Sequence, residues 1–377
     1  MSKIKLANDL RDEIGPLATT KDTLGHQILS YFRQAGYTRI TTPLVEEEAL
    51  FQDYESKDRL YKFTDSNGQS LVLRPDLTLP IARYLANNNI SLPRKFYYLG
   101  EVMSIGQQLT GQRNEITQAG MELVGFNSSK AEIECLLAID WLNQTFLKSQ
   151  MTVELGHALL VKKVLDQLNI DRSTKKQLAS ALFNKNFPRY QELLKQVPTT
   201  PYQSFLSKWP RLFGSVDEVT SQLSTVQVPQ VARPIIQQLV NLAGFVHRNC
   251  PQQSIVIDLS TAVPQKYYTG IIFKGYTSQA NANVVSGGRY DKLMESFTNQ
   301  ALPAIGFGIN LDILAQLTTV QKAAVNTLVF SDQNHLDQAV KLVQTHQNYS
   351  LALTTNLQAA QAEAAQAQMK LKVIGDD

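Results

Sequence analysis

Apolar residues return at helical spacing between positions 20 and 36. Leu24, Ile28, Leu29, Phe32 and Ala35 form one stripe, and Gly36 stands where a C-cap glycine would stop the helix. The period then changes. Residues 39–45 are largely β-branched and predict a strand, with Pro43 at a tolerated edge or bulge position. Two runs at 60–65 and 70–74 flank Ser66-Asn67-Gly68-Gln69, and Asn-Gly is a strong hairpin signal. A helix is expected at 79–87. Strands are expected at 95–103 and 116–124, around a polar loop at 105–113. This order predicts an α+β fold, with a mainly antiparallel sheet and helices against it.

Residues 159–246 carry helical periodicity at 162–168, 175–183, 190–196 and 231–246, and read as a helical insertion in the sheet domain. Strands resume at 254–259 and 268–274. After Gly287-Gly288-Arg289-Tyr290-Asp291 a helix is expected. A strand at 303–310 then runs into a helix at 311–317. The tail is a separate unit, with strands expected at 326–330, 351–354 and 372–374 and helices at 335–347 and 357–369. That β-α-β-α-β order predicts a small parallel sheet. The expected division is therefore 1–320 and 325–377, and so small a tail should need the main domain for stability.

Composition narrows the classes. With 43% hydrophobic and 18% charged residues the chain is globular rather than disordered. A net charge of +3, with no lysine-rich tail, weighs against a dedicated nucleic-acid binder, although a folded patch could still be basic. Cys135 and Cys250 make neither a disulfide framework nor a CxxC metal site, so buried free thiols and no metal are expected. Neither an apolar leader nor a run of membrane-spanning length is visible, and the expected location is the reducing cytoplasm.

Four polar residues draw attention: Asp76, Thr78, Gln118 and Glu122. Gln118 and Glu122 are four apart, which puts both on one face of a strand. Asp76 and Thr78 would share a face if extended. Carboxylates beside hydroxyl and amide groups can hold an ammonium group and an imidazole N–H. Such pairs are common, and spacing alone favours ordinary solvated or structural polar residues.

Three segments change that balance: Arg74-Pro75-Asp76-Leu77-Thr78, Gln118-Ala119-Gly120-Met121-Glu122 and Ser286-Gly287-Gly288-Arg289-Tyr290-Asp291. In order and spacing they resemble the catalytic core of histidyl-tRNA synthetases over about residues 9 to 317. The resemblance implies a class II aminoacyl-tRNA synthetase-like fold. It implies a histidine-binding set of Asp76, Thr78, Gln118 and Glu122, with Glu122 facing the imidazole, and Tyr267 and Tyr268 as the family's tyrosine pair.

The same resemblance exposes three losses. Amino-acid activation needs positive charge at the α-phosphate. The synthetase arginine positions read Ser104, Val263 and Ile313. Losing one such donor costs roughly 2.7–4 kcal/mol of transition-state stabilisation, so losing three should abolish adenylation. Glu115-Ile116-Thr117-Gln118-Ala119-Gly120-Met121-Glu122 and the short tail resemble the regulatory subunits of ATP phosphoribosyltransferase, a non-catalytic branch of the synthetase family. That family implies no catalytic residues and no cofactor. It implies a short-form catalytic subunit as partner, L-histidine as effector, and a homodimer within a larger hetero-oligomer, with no membrane or tRNA role. The homodimer is expected to bury the apolar face of the first helix and Pro43. Where that family often has an arginine, Asn114 stands, which leaves Arg113 and Lys266 as candidates for the histidine carboxylate. The competing readings are an active synthetase with rearranged motifs, separable by histidine-dependent pyrophosphate exchange, and an RNA-binding paralogue, separable by a salt-dependent tRNA titration.

Overall fold

A computed structural model describes residues 6–7, 9–52, 54, 57–106, 113–261, 267–298, 301–318 and 327–375. The chain forms two compact units, Met1–Thr319 and Val320–Asp377. The first opens with α1 (Pro16–Gln34), β1 (Thr38–Arg39), β2 (Val45–Glu47), β3 (Lys62–Thr64) and β4 (Ser70–Leu73). Next come α2 (Thr78–Asn87), β5 (Arg94–Met103), β6 (Glu115–Val124), α3 (Lys130–Leu147) and β7 (Thr152–His157). The helical insertion follows as α4 (Leu160–Asp166), α5 (Arg172–Phe183), α6 (Phe187–Leu194), α7 (Gln203–Lys208), the short strand β8 (Phe213–Gly214), α8 (Val216–Ser224) and α9 (Arg233–Asn249). The unit closes with β9 (Ser254–Asp258), β10 (Ile271–Tyr276), β11 (Val285–Arg289), α10 (Glu295–Thr298), β12 (Ala304–Asn310) and α11 (Leu311–Leu317).

Among the described residues nine strands make the main sheet, in the order β1-β5-β6-β12-β11-β10-β7-β9-β8. Its centre is antiparallel, and only β1–β5 and β7–β9 run parallel. The mainly antiparallel α+β architecture is the one the residue pattern predicts.

Strand alternation sorts the side chains of β6. Met121 faces α1 and α3: the Tyr37 hydroxyl lies 3.5 Å from its sulfur and donates to Glu134 of α3 at 2.9 Å. Phe307, in register with Met121, shares that face, and the Phe32 ring of α1 packs 6.4 Å from it. Gln118 and Glu122 therefore point to the opposite face.

The expected strand at 39–45 is broken in two. Thr38–Arg39 pairs with β5 in the main sheet, whereas Val45–Glu47 pairs with β4 in a separate three-stranded sheet, β2-β4-β3. Pro43 has no N–H to give a ladder. The carbonyls of Thr42 and Pro43 instead accept from Arg74 Nη1 at 2.5 and 3.1 Å, and Arg74 Nε donates to Glu101 O at 2.8 Å. The apolar face of α1 also departs from expectation. Leu24, Ile28 and Phe32 are buried within this chain, so they are not free to form a subunit interface. The Asn-Gly hairpin forms as expected: Gly68 adopts φ +83° and Asp65 Oδ1 accepts from the N–H groups of Asn67 and Gln69.

The second unit contains β13 (Thr327–Ser331), α12 (Leu336–Thr345), β14 (Tyr349–Leu351), α13 (Leu357–Gln366) and β15 (Lys370–Ile374). Its sheet is parallel with β13 central, the β-α-β-α-β arrangement read from the sequence.

One buried ion pair fastens α3 to the sheet. Arg289 donates bidentately to Glu132 at 2.7 and 2.8 Å, with side chains 10% and 3% exposed. Removing Glu132 leaves Arg289 with only half-exposed Asp291 at 3.1 Å as an ion-pair partner. Glu132→Ala should therefore lower unfolding free energy, by at most about 3–5 kcal/mol, in urea titrations. A loss below about 1 kcal/mol would show that the pair does not hold the helix.

Candidate functional site

The turn between β4 and α2 brings Asp76 and Thr78 over β6. They do not share an extended face, because Thr78 already opens α2. Asp76 Oδ1 accepts from Leu79 N at 2.9 Å, while its Oδ2 is sealed from solvent with no hydrogen-bond partner among the described residues. Thr78 Oγ1 donates to Glu122 Oε1 at 3.0 Å, and the Tyr290 hydroxyl donates to Glu122 Oε2. Glu122 is only 1% exposed.

Glycines make room for these groups. Gly306 lies across from Glu122 in register, and a Cβ there would overlap the Glu122 carboxylate. A Cβ on Gly308 would meet the Gln118 amide at 2.6 Å. Tyrosines enclose the site. The Tyr267 and Tyr268 rings are 4.8 Å apart, Tyr267 meets Tyr290 edge-on at 6.0 Å, and buried Tyr98 extends its hydroxyl toward Phe307 O at 3.5 Å. Thr269 ties the tyrosine pair to the glycine-rich strand: its N–H donates to Arg289 O at 2.8 Å and its hydroxyl accepts from Asp291 N at 2.9 Å.

Both carboxyls are pushed toward the neutral form. Burial raises Glu122 to about 8; nearby Asp76 adds to this, and the Tyr290 and Thr78 hydrogen bonds oppose it. Burial raises Asp76 to about 6, against the N–H groups of Leu79 and Thr78. Burial and then Glu122 also hold the hydroxyls of Tyr98, Tyr268 and Tyr290 protonated. The result is two desolvated carboxyls in an aromatic box, suited to a ligand that brings N–H donors or positive charge.

The structure thus brings together Asp76, Thr78, Gln118, Glu122, Tyr267 and Tyr268. Tyr98, Tyr290, Gly306 and Gly308 join them without having been singled out as site residues. The alternate glycines of Gly306-Phe307-Gly308 were the available signal, since glycine inside a strand marks close approach by another group.

Arg113 goes elsewhere. It pairs with Glu13, and with Asp312 of α11 at 3.0 Å; Lys21 of α1 bonds the same two acids at 2.7 and 3.0 Å. These partners lie on the helix-covered face, around a cavity of about 320 Å³. Asn114 clamps the loop base, donating to the Tyr61 hydroxyl and accepting from Gly106 N, each at 2.6 Å. At two positions that the resemblance assigns to synthetase arginines, half-buried Ser104 gives its N–H to Asn114 O, and Ile313 gives its N–H to the capping Asn310 side chain. Val263 and Lys266 lie outside the described residues.

The family model described as histidyl-tRNA synthetase matches residues 9–314. The ATP phosphoribosyltransferase regulatory subunit of Limosilactobacillus fermentum is 40% identical, over 100% of this chain and 98% of that protein. The protein of the same description from Lactiplantibacillus plantarum is 38% identical, over 97% of this chain and 96% of its own length. The crystal structure of an ATP phosphoribosyltransferase regulatory subunit/histidyl-tRNA synthetase from Bacillus halodurans superposes with a TM-score of 0.85 at 24% identity, covering 99% of each chain. That structural match speaks to the fold.

The raised carboxyls make a signed forecast. A carboxyl with a raised folded pKa contributes stability that is complete below its unfolded value and lost as pH rises through the folded one. Without ligand, melting temperature should fall from about pH 4, where the unfolded carboxyls ionise, and level off near pH 8, where Glu122 itself ionises; Asp76 contributes only below about pH 6, and the part above that belongs to Glu122. Glu122→Gln, which cannot ionise, should flatten the upper part of that fall. Parallel melting curves for variant and wild type across this range would assign the effect to another group.

Proposed function

The chain belongs to the ATP phosphoribosyltransferase regulatory subunit family, within the histidyl-tRNA synthetase-like group, and from that premise we propose that it senses L-histidine for a short-form catalytic subunit in the cytoplasm. The observation that carries the reading is the unpartnered Asp76 Oδ2 beside buried Glu122. Histidine offers matching chemistry. Its ammonium group suits Asp76, Thr78 and Gln118, its imidazole N–H suits Glu122, and Tyr267 and Tyr268 flank the ring. Lys266 stays the candidate for the histidine carboxylate; Arg113 is held across the sheet by Glu13 and Asp312. Ser104 and Ile313 supply no charge for a triphosphate, which supports a non-catalytic role.

Regulation requires that histidine bind one state of the complex more tightly than the other. A coupling of about 1–3 kcal/mol is typical of such effects. Glu122→Gln keeps the size of the side chain and removes its charge. Losing a charge-assisted hydrogen bond costs about 1.5–3 kcal/mol, or roughly ten- to a hundred-fold in affinity. The reconstituted complex carrying Glu122→Gln should therefore resist inhibition across a histidine series while keeping its activated turnover. Inhibition at the wild-type histidine concentration would place the effector elsewhere.

A homodimer is the proposed minimum unit, built on the small sheet rather than on α1. The register puts Val45 beside Leu73 and Phe63 beside Leu71, so all four share a face. Val45 and Phe63 are 41% and 40% exposed, with Leu44 and Pro43 exposed alongside. An apolar face of this kind is suited to an isologous contact. The double variant V45E/F63E should run as a monomer by light scattering at micromolar concentration, where wild type is dimeric. A dimeric double variant would rule this face out.

A further inference from the structure

The small net charge of the whole chain conceals a segregation. Residues 160–250 hold 12 Lys and Arg against 5 Asp and Glu, a formal +7, while the rest of the chain holds 24 against 28. The helical insertion is a basic module on an acidic body. Much of its charge is uncommitted. Lys163, Arg172, Lys176, Lys195, Arg211, Arg233 and Arg248 are exposed and have no ion-pair partner among the described residues.

Helix α5 concentrates the effect. Leu178, Ala181 and Leu182 anchor its inner side. On the outer side Arg172, Lys176, Ser180 and Phe183 follow at steps of four, four and three, a single stripe. Phe183 is 44% exposed. The cations also sit where the helix least favours them. Arg172, Lys175 and Lys176 fall in the first five residues, where the helix dipole is positive, against one acid, the N-cap Asp171. Three cations against one acid at a helix start break a local rule, as sequences do most often at a functional surface.

We propose that this outer face of the insertion, centred on Arg172, Lys176 and Phe183, docks against an acidic surface of the catalytic phosphoribosyltransferase subunit. The proposal rests on the regulatory-subunit reading above. Cations around an exposed aromatic are the makings of a protein interface, in which the aromatic anchors and the charges steer and orient. A second exposed aromatic, Phe213 at 42%, stands two residues from Arg211 within the same insertion. Attraction of this kind weakens with ionic strength.

The test titrates full-length chain with the short-form catalytic subunit, by anisotropy or sedimentation, over a salt series. The expected result is a wild-type Kd that rises with salt, and an R172E/K176E variant with a Kd at least about tenfold higher at low salt. F183A should weaken binding at every salt concentration. The charge-reversed variant should melt no lower than wild type, because acids at the start of α5 suit the helix dipole. That separates lost docking from lost folding. If wild type binds and R172E/K176E binds equally with the same salt dependence, the docking surface is wrong and the regulatory reading stands. If wild type fails to bind the catalytic subunit even at low salt, the regulatory reading falls and this surface with it. If a labelled single-stranded RNA binds more tightly than the catalytic subunit, and R172E/K176E abolishes only the RNA binding, the surface belongs to RNA and the proposal is overturned.

Discussion

A β-strand sends alternate residues to opposite faces, and the central sheet of this chain uses that constraint to separate the candidate site from the ion pairs that hold its helices. Glu122 and Gln118 leave β6 on the glycine-lined side, where Asp76 meets them. Neither Asp76 nor Glu122 has an ion-pair partner among the described residues. Arg289, Arg113 and Lys21 lie on the helix-covered side, Arg289 against Glu132 and the other two sharing Glu13 and Asp312, while Arg74, over Gly100 on the site's side, is spent on backbone carbonyls. Adjacent residues Arg289 and Tyr290 make the division plain. The first secures α3 and the second donates to Glu122. Two unpaired buried carboxyls are unfavourable in a low-dielectric setting, and they become neutral or await a donor. The same feature that costs stability there suits a ligand carrying N–H groups.

Much of this was legible in the sequence, for stated reasons. The four-residue step from Gln118 to Glu122 fixes a shared strand face whatever surrounds it. Asn67-Gly68 demands a turn, and the period change after Gly36 marks the end of α1. Other features depend on contacts that no local pattern encodes. The break at Pro43 takes its shape from Arg74, thirty-one residues away, whose guanidinium gathers carbonyls from two segments. Helix α3 has no clean polar stripe, because Glu132, Asp140 and Asn143 are buried with its apolar residues, so periodicity gave it no signal. Where Arg113 points was equally invisible, since Glu13 and Asp312 lie at opposite ends of the domain's sequence. The basic insertion escaped notice because a whole-chain sum of +3 averages it against an acidic remainder.

A synthetase-like fold can lose catalysis and keep recognition because the two draw on different interactions. Recognition of an amino acid needs short-range geometry: hydrogen-bond donors and acceptors, and aromatic walls. On the proposed reading, sheet register and packed glycines supply these here. Adenylation needs concentrated positive charge where the triphosphate reacts, and its stabilisation is worth most when the donors are held free and ready. In this chain Ser104 and Ile313 carry no charge. Arg113 and Lys21, across the sheet from the candidate site, are neutralised by internal carboxylates. Releasing either one for a phosphate would leave Asp312, 5% exposed, short of a partner. On the proposed reading these cations serve the fold, and the amino-acid site reports on ligand concentration.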